Sequence, residues 1–478
     1  MAKFEKKELK KKSGNFSDWY TDVILKSEMA DYAPVKGCMV IRPYGYAIWE
    51  NIQAYMDRLI KEKGVDNAYF PLLIPEKFLN LEKEHVEGFS PHLAVVTIAG
   101  GEKLSEKLIV RPTSETVMYQ MYKEWFHSWR DLPVLINQWN NIIRWEKRTY
   151  LFLRTSEFLW QEGHCAHATH SESNDFILWA LEMYAKTYRD LLGMHGITGI
   201  KSETEKFAGA DKTYSVELLM PDGKALQGGT SHDLGQNFAK ALDWTVLDKE
   251  GKKLNPWQNS WGFSTRSIGG LVMVNGDDNG LSLPPNVAPY QAVILPISAE
   301  DKSLDIYVQK LKDQLLKSGV RVAVDNDTNS SVGRRFNFWE VKGVPARLEI
   351  GKREMENKKV TIARRDNFEK ETVDIDQITA HLQIILKEMQ EQALARHRKF
   401  TQDNTHMTDD YSQFKKIMSE KRGFIRSLWC ESKECEAKIK AETKATTRVL
   451  PLDAPEEKGK CIYCQKEAFH RWYFAQAY

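Results

Sequence analysis

The sequence predicts an α+β fold in several domains: a mixed region over residues 1–289, an α/β module over 290–400 and a small region over 401–478. Three observations support this division. A chain of 478 residues exceeds the size, roughly 250–300 residues, at which single cores stop growing. A proline-rich segment near residue 290 separates two different orders of strands and helices. Four cysteines cluster between Cys430 and Cys464.

Composition excludes several protein classes. The hydrophobic fraction of 42% and the charged fraction of 28% are those of an ordinary globular protein. Lys and Arg number 68 against 66 Asp and Glu, so the net charge of +2 identifies no partner by itself. The chain has no run of about 18 apolar residues, and its basic N-terminus lacks the apolar core of a signal peptide. We therefore expect a cytoplasmic protein without a membrane partner.

The first region begins with a predicted amphipathic helix at 46–63, where apolar residues recur at three- and four-residue steps. The apolar run 67–75 contains two prolines, which predict an edge strand or a strand end. A short strand is predicted at 108–113. It leads into a helix that starts near Ser114 and runs towards Trp129.

A β-hairpin follows, formed by NQWNNIIRWE and FLRTSEFLWQEG. Thr169-His170-Ser171-Glu172 fits a capping box and predicts the start of a long helix. Residues 201–262 read as short strands with glycine-rich turns. Beyond residue 290, strands alternate with helices and predict a compact module, which a charged helix from Ile378 to about Phe400 connects to the last region.

The second half of the hairpin alternates in an informative way. Ser156, Phe158, Trp160, Glu162 and His164 have the same parity as Arg154, so in a continuous strand all would project from one face. A buried structural strand would carry aliphatic residues there. The pattern therefore favours the floor of a polar site with aromatic walls. The alternative is that Arg144 and Arg154 are surface cations and the aromatic residues are core.

Three further motifs are weaker when taken alone. Thr113-Ser114-Glu115 fits a helix cap, although a hydroxyl and a carboxylate can also receive an ammonium group. Gln227-Gly228-Gly229-Thr230-Ser231-His232 fits a turn, or a segment that a ligand approaches closely. Arg266, in STRSIGG, has the position of a surface arginine that precedes an apolar element.

Four cysteines have metal-ligand spacing. Cys430 and Cys435 are separated by four residues, and Cys461 and Cys464 by two. Two close thiolate pairs suit tetrahedral Zn²⁺, and the histidines lie outside the pairs, so we predict a closed structural site. Reduced cysteines without a metal are the alternative.

One segment is strongly basic. Residues 334–365 carry ten Lys or Arg and four Glu, with Phe336, Phe338 and Trp339 interleaved. This composition fits single-stranded RNA, whose bases stack on aromatic rings and whose phosphates attract cations. A solvated protein surface would have the same composition.

Together these motifs resemble the class II aminoacyl-tRNA synthetases, and most closely the prolyl-tRNA synthetases, along essentially the whole chain. GCMVIRPYGYAIWENIQ with YFPLLIP resembles the first motif of the class, RWE with LRTSEFLWQEGH the second and STRSIGG the third. The terminal cysteines and WYFAQAY resemble the zinc domain of the archaeal and eukaryotic-like branch. The resemblance implies an antiparallel catalytic sheet, an anticodon-binding module, a homodimer and the synthesis of prolyl-tRNA.

The resemblance also implies residue roles. Those for ATP, which arrives with Mg²⁺, are Arg144, Glu146, Arg154, Thr155, Gln227, Thr230 and Arg266. Those for L-proline are Thr113, Glu115, Arg144, Phe158, Trp160, Glu162, His164, His232 and Ser264. Glu340 and Arg347 match anticodon-reading positions for tRNA(Pro), and the four terminal cysteines match the ligands of the structural Zn²⁺. The three arginines would stabilise the charge that develops during the reaction.

Further expectations follow from the resemblance. Fewer than 60 residues separate Thr169 from Gln227, so the editing insertion of the bacterial-type enzymes does not fit. We therefore expect measurable activation of alanine, because one missing methylene changes binding by only about 1–3 kcal/mol. The carboxylate of Tyr478 is expected to reach the active site. The alternatives are a threonyl or glycyl enzyme, or a non-catalytic synthetase-like RNA-binding protein.

Overall fold

A computed structural model of the chain describes residues 9–79, 92–297 and 302–478. Its largest element is an eight-stranded sheet, antiparallel except at one edge, where Asp66–Asn67 runs parallel to its neighbour. We label its five long strands in chain order: β1 (Val134–Ile143), β2 (Glu157–His167), β3 (Lys212–Leu219), β4 (Ala225–Gly235) and β5 (Trp257–Ser264). In space they lie in the order β3, β4, β5, β2, β1.

The predicted hairpin is β1 and β2, joined from Ile143↔Glu157 to Val134↔Ala166. The second strand begins at Glu157, so Arg154 lies in the connecting loop rather than on the strand as the alternation predicted. Tyr150 and Arg154 exchange backbone hydrogen bonds of 2.7 and 2.9 Å, which closes the loop on itself. The parity rule therefore holds only from the residue at which regular pairing starts.

Helices cover this sheet as the apolar patterns predicted. The helix predicted at 46–63 spans Pro43–Glu62 and starts with proline at its first position, where no intrahelical N–H donor is required. The helix predicted towards Trp129 ends at Trp125. The capping box at Thr169 is present, with reciprocal bonds between Thr169 and Glu172. In the described part of the first region, the helices are α1 (Phe16–Lys26), α2 (Pro43–Glu62), α3 (Glu115–Trp125), α4 (His170–Lys186) and α5 (Arg266–Asn275), with shorter ones at Glu76–Leu79 and Asn237–Ala241.

The middle region is a separate α/β module. Its five-stranded mixed sheet has the order Val322–Val324, Ala292–Pro296, Ala346–Ile350, Lys359–Arg364 and Lys370–Asp374. The last of these strands was not predicted, because its sequence KETVD has a single apolar residue. The helices are α6 (Lys302–Lys317), α7 (Val332–Lys342), the short Lys352–Glu356 and α8 (Ile378–Asp403). Their apolar faces form a core distinct from that of the first region.

The last region is a four-stranded sheet with the order Thr405–Met407, Phe424–Trp429, His470–Gln476 and Ala445–Thr447. Two helices, α9 (Tyr411–Glu420) and α10 (Lys433–Thr443), pack on it. A two-residue strand, Leu450–Pro451, leaves this region and pairs with Ile197–Ile200 at the edge of the large sheet. The last region is thereby joined to the first by main-chain hydrogen bonds.

The other elements of the described residues form small sheets and single turns. A three-stranded sheet consists of Leu73–Pro75, Glu102–Val110 and Ala94–Ala99. Two-stranded pairs are Ala30–Tyr32 with Met39–Ile41, Val246–Leu247 with Lys253–Leu254, Gly276–Asp277 with Gly280–Leu281, and Gly459–Lys460 with Glu467–Ala468. Trp129–Asp131 forms a 3₁₀ turn and Thr187–Leu191 a π-helical one. Within the described residues, no helix combines the length and the apolar character needed to cross a membrane.

Candidate active site

A cavity of about 190 Å³ opens on one face of the large sheet, above strands β2, β4 and β5. A second cavity of about 60 Å³ adjoins it and is formed largely by the loop between β1 and β2. Both are lined by Arg144, Phe158, Ser264 and Arg266. The first also contains Thr113, Glu115, Trp160, Glu162, His164, Gln227, Thr230 and His232, and the second contains Glu146, Arg154 and Thr155. The structure therefore brings together every residue that was predicted for ATP and proline.

Alternation along β2 builds the floor of the larger cavity. Phe158, Trp160, Glu162 and His164 all line it, as the same-parity pattern predicted. The rings of Phe158 and Trp160 meet edge to face at 6.1 Å. Two aromatic rings, a carboxylate and an imidazole of this cavity thus come from a single strand.

Three arginines converge where the two cavities meet. Arg144 donates from Nε to the carbonyl of Pro112 at 3.0 Å, and its guanidinium lies 5.2 Å from the centre of the Trp160 ring. Burial lowers the pKa of Arg144 to about 10, so the group stays charged at neutral pH. Arg266 donates to the carbonyl of Leu153 at 3.1 Å.

The arginines repel one another. Burial is the main cause of a lowered pKa at Arg266, and the positive charge of Arg154 lowers it further. Arg266 has the same effect on Arg144. An anion with several charges bound between these groups would relieve the repulsion, so the arrangement is suited to a polyphosphate.

Glu162 is the centre of a buried hydrogen-bond network. Its carboxylate accepts bonds from the Ser114 amide at 3.2 Å and hydroxyl, from Gln138 at 3.0 Å, from Asn140 at 2.6 Å and from His164 Nε2 at 2.9 Å. Burial alone would raise the pKa of Glu162, but the bonds from His164, Ser114 and Asn140 lower it to about 2. The carboxylate is therefore ionised, and its oxygens are occupied by the protein.

Other ionisable groups in the cavity are tuned by burial. Burial would lower the pKa of His164, yet the charges of Glu115 and Glu162 raise it. Burial lowers the pKa of His232 to about 4, so this histidine is neutral at pH 7. Glu115 is buried and accepts a short hydrogen bond from the Thr113 hydroxyl. The cavity thus offers one carboxylate and one hydroxyl at the position predicted for the imino group.

The paired glycines of β4 line the larger cavity and also pack against the layer behind the sheet. Residues 225–235 form a continuous strand with an irregularity opposite Val216/Glu217, not a turn. A Cβ on Gly228 would lie 2.6 Å from Cε2 of Tyr188, and one on Gly229 would lie 2.9 Å from Cδ2 of Tyr184. The absence of side chains lets α4 and the π-helical turn that follows pack closely behind the sheet.

One wall of the cavity was not predicted from the sequence. Glu205, Lys206 and Phe207 come from the connection between Ile197–Ile200 and β3, and Thr213 comes from β3 itself. The ring of Phe207 lies 4.6 Å from that of His232. No periodicity marks this connection in the sequence. Ser260, Trp261 and Gly262 of β5 were also missed, although their position before Ser264 could have indicated them.

The basic segment of the middle region also contains a cavity, of about 120 Å³. Both predicted residues line it, and Arg347 pairs with Glu340 at 3.3 Å and with Glu349 at 3.0 Å. The Arg347 guanidinium lies 4.1 Å from the centre of the Phe336 ring. Glu340 and Glu349 therefore hold the Arg347 guanidinium in a fixed position, whereas a cation on a solvated surface needs no such partners.

The four terminal cysteines meet in space. Their sulfur atoms all lie within 4.8 Å of one another, and Cys430 Sγ is 3.7 Å from Cys435 Sγ and 3.6 Å from Cys464 Sγ. All four are free thiols. The cluster has the donor set and the dimensions of a tetrahedral thiolate site and can hold a metal ion.

Tyr478 docks beside the large sheet. Its amide donates to the carbonyl of Ala225 at 3.2 Å, and Lys224 Nζ lies 4.6 Å from the centre of its ring. Ala225 is two residues before Gln227, which lines the larger cavity, whereas Tyr478 lines neither cavity. A contact between its carboxylate and the substrates stays a prediction.

Three family models match the chain in succession. Residues 97–275 match the tRNA synthetase class II core domain (G, H, P, S and T), residues 291–384 the anticodon binding domain, and residues 411–478 the C-terminal domain of prolyl-tRNA synthetase. The matches follow the order of the three regions.

Curated proteins and a solved structure are similar over the full length. The chain is 50% identical to proline–tRNA ligase 2 of Clostridioides difficile, with all of both chains covered. It is 51% identical to proline–tRNA ligase of Acetoanaerobium sticklandii over 97% of this chain and 96% of the relative. The crystal structure of prolyl-tRNA synthetase from Cryptosporidium parvum, complexed with halofuginone and AMPPNP, has a TM-score of 0.94 and 40% identity, and covers 98% of this chain and 99% of that one.

Proposed function

Because the chain belongs to the prolyl-tRNA synthetase family, we propose that its larger cavity binds L-proline and that the adjoining cavity receives the phosphates of ATP. Membership gives the activity: the chain is an aminoacyl-tRNA ligase that activates proline with ATP to prolyl-adenylate and transfers the prolyl group to the 3′ end of tRNA(Pro). This function excludes a threonyl or glycyl enzyme and a non-catalytic RNA-binding protein.

The observation that carries the assignment of the two cavities is the cluster of three arginines. Arg144 lies between the cavities, so it can contact the proline carboxylate on one side and the α-phosphate on the other. We assign Arg154 and Arg266 to the outer phosphates. The charge of Arg154 disfavours the charged form of Arg266, and the charge of Arg266 disfavours that of Arg144; bound ATP would offset both repulsions.

The reaction requires no nucleophilic side chain. A carboxylate oxygen of proline forms a bond to the α-phosphorus of ATP, and the bond from that phosphorus to the bridging oxygen breaks, which releases pyrophosphate. A hydroxyl of the tRNA terminal ribose then attacks the activated carbonyl and releases AMP. Mg²⁺ enters with ATP as part of the substrate. The arginines hold the reacting atoms in line and neutralise charge that develops on the phosphate.

The larger cavity suits a small cyclic amino acid. Thr113 and Glu115 are assigned to the imino group, because a buried carboxylate and hydroxyl complement a cation. Phe158, Trp160 and His232 are assigned to the ring. We assign Glu162 a supporting role, since its oxygens already accept hydrogen bonds from Ser114 and other protein groups. His164 and Ser264 complete this wall of the pocket, as the lining residues indicate.

The remaining assignments concern adenosine and tRNA. Glu146, Thr155, Gln227 and Thr230 are assigned to the nucleoside, since they border the arginines within the two cavities. In the middle region, we assign Glu340 and Arg347 to the anticodon, because their cavity combines cations with aromatic rings on which unpaired bases can stack.

We propose that the chain has three domains, at residues 1–289, 290–400 and 401–478.

We propose that the four cysteines of the last region hold Zn²⁺. Four thiolates in two close pairs match its preferred donors and number, and no open position is left for chemistry. The ion would cross-link two segments of the last region and stabilise its fold. Metal analysis of the purified chain should give about one zinc per chain, and Cys430→Ser together with Cys464→Ser should abolish it.

We propose that the chain acts as a homodimer in the cytoplasm, where translation uses its product. The support for a dimer is a group of exposed apolar side chains on and beside the three-stranded sheet. Tyr69 is 72% exposed, Ile98 63% and Val95 44%. Large apolar side chains exposed on one small sheet and beside it are typical of protein interfaces. Light scattering in solution would give the mass of one chain if this proposal is wrong.

One experiment tests the function as a whole. ATP–pyrophosphate exchange is measured with each of the standard amino acids, because exchange reports adenylate formation without tRNA. We expect strong stimulation by proline and a weak trace with alanine, which lacks part of the contact with the aromatic walls. Stimulation by threonine or glycine, or by no amino acid, would overturn the assignment.

A further inference from the structure

One wall of the larger cavity is supported by the last region of the chain. We define the pocket loop as residues 201–211, which connect Ile197–Ile200 to β3. Its middle residues Glu205, Lys206 and Phe207 line the cavity. The amide of Phe207, the last of these three residues, donates to the Thr213 hydroxyl at 2.9 Å. This bond holds Phe207 beside His232.

The near end of the pocket loop is fixed by Glu436 of α10. This carboxylate is buried, with 4% of the residue exposed. The Ser202 hydroxyl lies 3.1 Å from each of its oxygens, and the hydroxyls of Thr204 and Thr447 each donate a short hydrogen bond to it. Two of the three hydroxyls belong to the pocket loop, and the third belongs to the last region.

A second contact lies one turn further along the same helix. Lys440 is four residues after Glu436, so both side chains project from the same face of α10. Its Nζ lies 3.7 Å from a carboxylate oxygen of Glu205, a cavity-lining residue. Helix α10 therefore contacts the pocket loop from two successive turns, through Glu436 and Lys440.

The effect of Glu436 reaches the cavity through the main chain. The Ser202 carbonyl accepts hydrogen bonds from the amides of Glu205 at 3.1 Å and Lys206 at 3.0 Å, which makes residues 202–206 a closed turn. Holding the Ser202 side chain consequently sets where this turn stands over the cavity. A buried carboxylate must be fully hydrogen-bonded to be tolerated, so its hydroxyl partners are held in a defined geometry.

We propose that Glu436 is a positioning residue for amino-acid binding: by holding Ser202 and Thr204, it keeps the pocket loop against the cavity and Phe207 against His232. The proposal rests on the proposed function of that cavity as the proline site. It gives the last region a part in substrate affinity, although none of that region's residues lines the cavity among those that the structure describes.

The test uses the full-length chain in proline-dependent ATP–pyrophosphate exchange. Glu436→Ala leaves the loop hydroxyls without their acceptor, and we expect the KM for proline to rise about tenfold, the effect of losing a charged hydrogen bond. The kcat and the KM for ATP should stay within about twofold, because the loop borders the amino acid rather than the phosphates. Glu436→Gln should behave like the parent, since hydroxyls can accept from its amide as well as donate to its oxygen.

Two further variants complete the design. Thr204→Val removes one hydroxyl at an exposed position of the loop and is expected to fold normally and to raise the KM for proline. Glu434→Ala changes an exposed acid on the same helix and should leave the KM unchanged.

The results separate two failures. A parent chain without proline-dependent exchange refutes the proposed function itself. If the parent is active and Glu436→Ala lowers only the melting temperature, with the KM for proline within about twofold, Glu436 is merely structural and the proposal is wrong. Should Glu436→Ala not fold, an unchanged KM in Thr204→Val overturns the proposal and a raised one supports it.

Discussion

At the scale of single residues, the site depends on a positive charge held between two cavities. Arg144 is fixed by the Pro112 carbonyl and by the Trp160 ring, and it keeps its charge because its pKa, although lowered by burial, is about 10. Arg144→Ala should reduce ATP–pyrophosphate exchange by about 10²–10³-fold, the usual effect of removing one preorganised group that stabilises the transition state. The measurement is the initial rate of exchange at saturating proline and ATP.

A matched control for this variant is available in the same loop. Arg148 is exposed and lines neither cavity, so Arg148→Ala should leave exchange, which requires no tRNA, within about twofold. Equal losses in the two variants would mean that the loop needs positive charge in general. Normal exchange in Arg144→Ala would refute the role of this residue.

A second residue-scale prediction concerns the buried pair of Glu162 and His164. The raised pKa of His164 means that its stabilising contribution is fully present below about 6.5 and is lost as the pH rises through its folded pKa. Burial lowers the pKa of His164, and the charges of Glu115 and Glu162 raise it. Glu162→Gln removes one of these two charges, so the pKa of His164 should fall. Once the pKa of His164 in the folded variant lies below that in the unfolded chain, protonation of His164 in acid favours the unfolded chain.

The variant should therefore be more destabilised at pH 5.5 than at pH 8.5. Melting temperatures measured across this range should diverge from those of the parent as the pH falls. Glu182→Gln, which changes an exposed acid, serves as the control and should run parallel to the parent. A difference in melting temperature between variant and parent that is constant with pH would show that the charge of Glu162 does not raise the pKa of His164.

At the scale of elements, a glycine of one strand makes room for a buried tryptophan of the neighbouring strand. Gly163 of β2 pairs with Trp261 of β5, and a Cβ at position 163 would lie 2.0 Å from Cε2 and Cζ2 of that indole. Gly163→Ala must displace a buried tryptophan, and overpacking of this kind costs about 1–3 kcal/mol or more. We expect a melting temperature lower by about 5 °C.

Gly262 is the appropriate comparison, because it lies next to Trp261 on the same strand. A Cβ there would first meet Trp160 Cζ3 at 3.6 Å, which is an ordinary contact. Gly262→Ala should therefore change the melting temperature by less than about 1 °C. If both variants melt alike, close approach at Gly163 does not limit stability.

The elements also explain which parts of the site were predictable. The alternation along β2 and the capping box at Thr169 are local, and both were confirmed. Phe207 was not predicted, because its position depends on hydrogen bonds to Thr213 and on a loop anchored from the distant last region. The packing of Gly228 against Tyr188 was not predicted for a similar reason, since Tyr188 comes from another element. Local pattern determines a strand's face, whereas long-range packing determines what lies opposite.

At the scale of the whole molecule, the last region is attached to the large sheet by a buried ionic group as well as by strand pairing. Glu217 of β3 lies 3.0 Å from Lys201 Nζ and accepts bonds of 2.9 and 2.8 Å from Arg448, which precedes Leu450–Pro451. All three side chains are at most 4% exposed. Charges in such a setting stabilise only while they remain paired.

The group is asymmetric, and this predicts an order of effects. Glu217→Gln leaves two cations buried without their carboxylate, and we expect a loss of about 3–5 kcal/mol in the free energy of unfolding. Arg448→Met leaves Lys201 and Glu217 as an intact pair and fills the space with an apolar side chain, so it should cost less. Glu467→Gln, which removes an exposed ion pair with Lys458, should change stability by less than about 0.5 kcal/mol.

Calorimetry gives the order of the three losses in stability. Hydrogen exchange over residues 445–451 tests where the effect lies, because an unpaired charge should loosen the strand that joins the last region to the sheet. Equal losses in Glu217→Gln and Arg448→Met, or unchanged exchange in that segment, would mean that this attachment depends on strand pairing and apolar packing rather than on the buried charges.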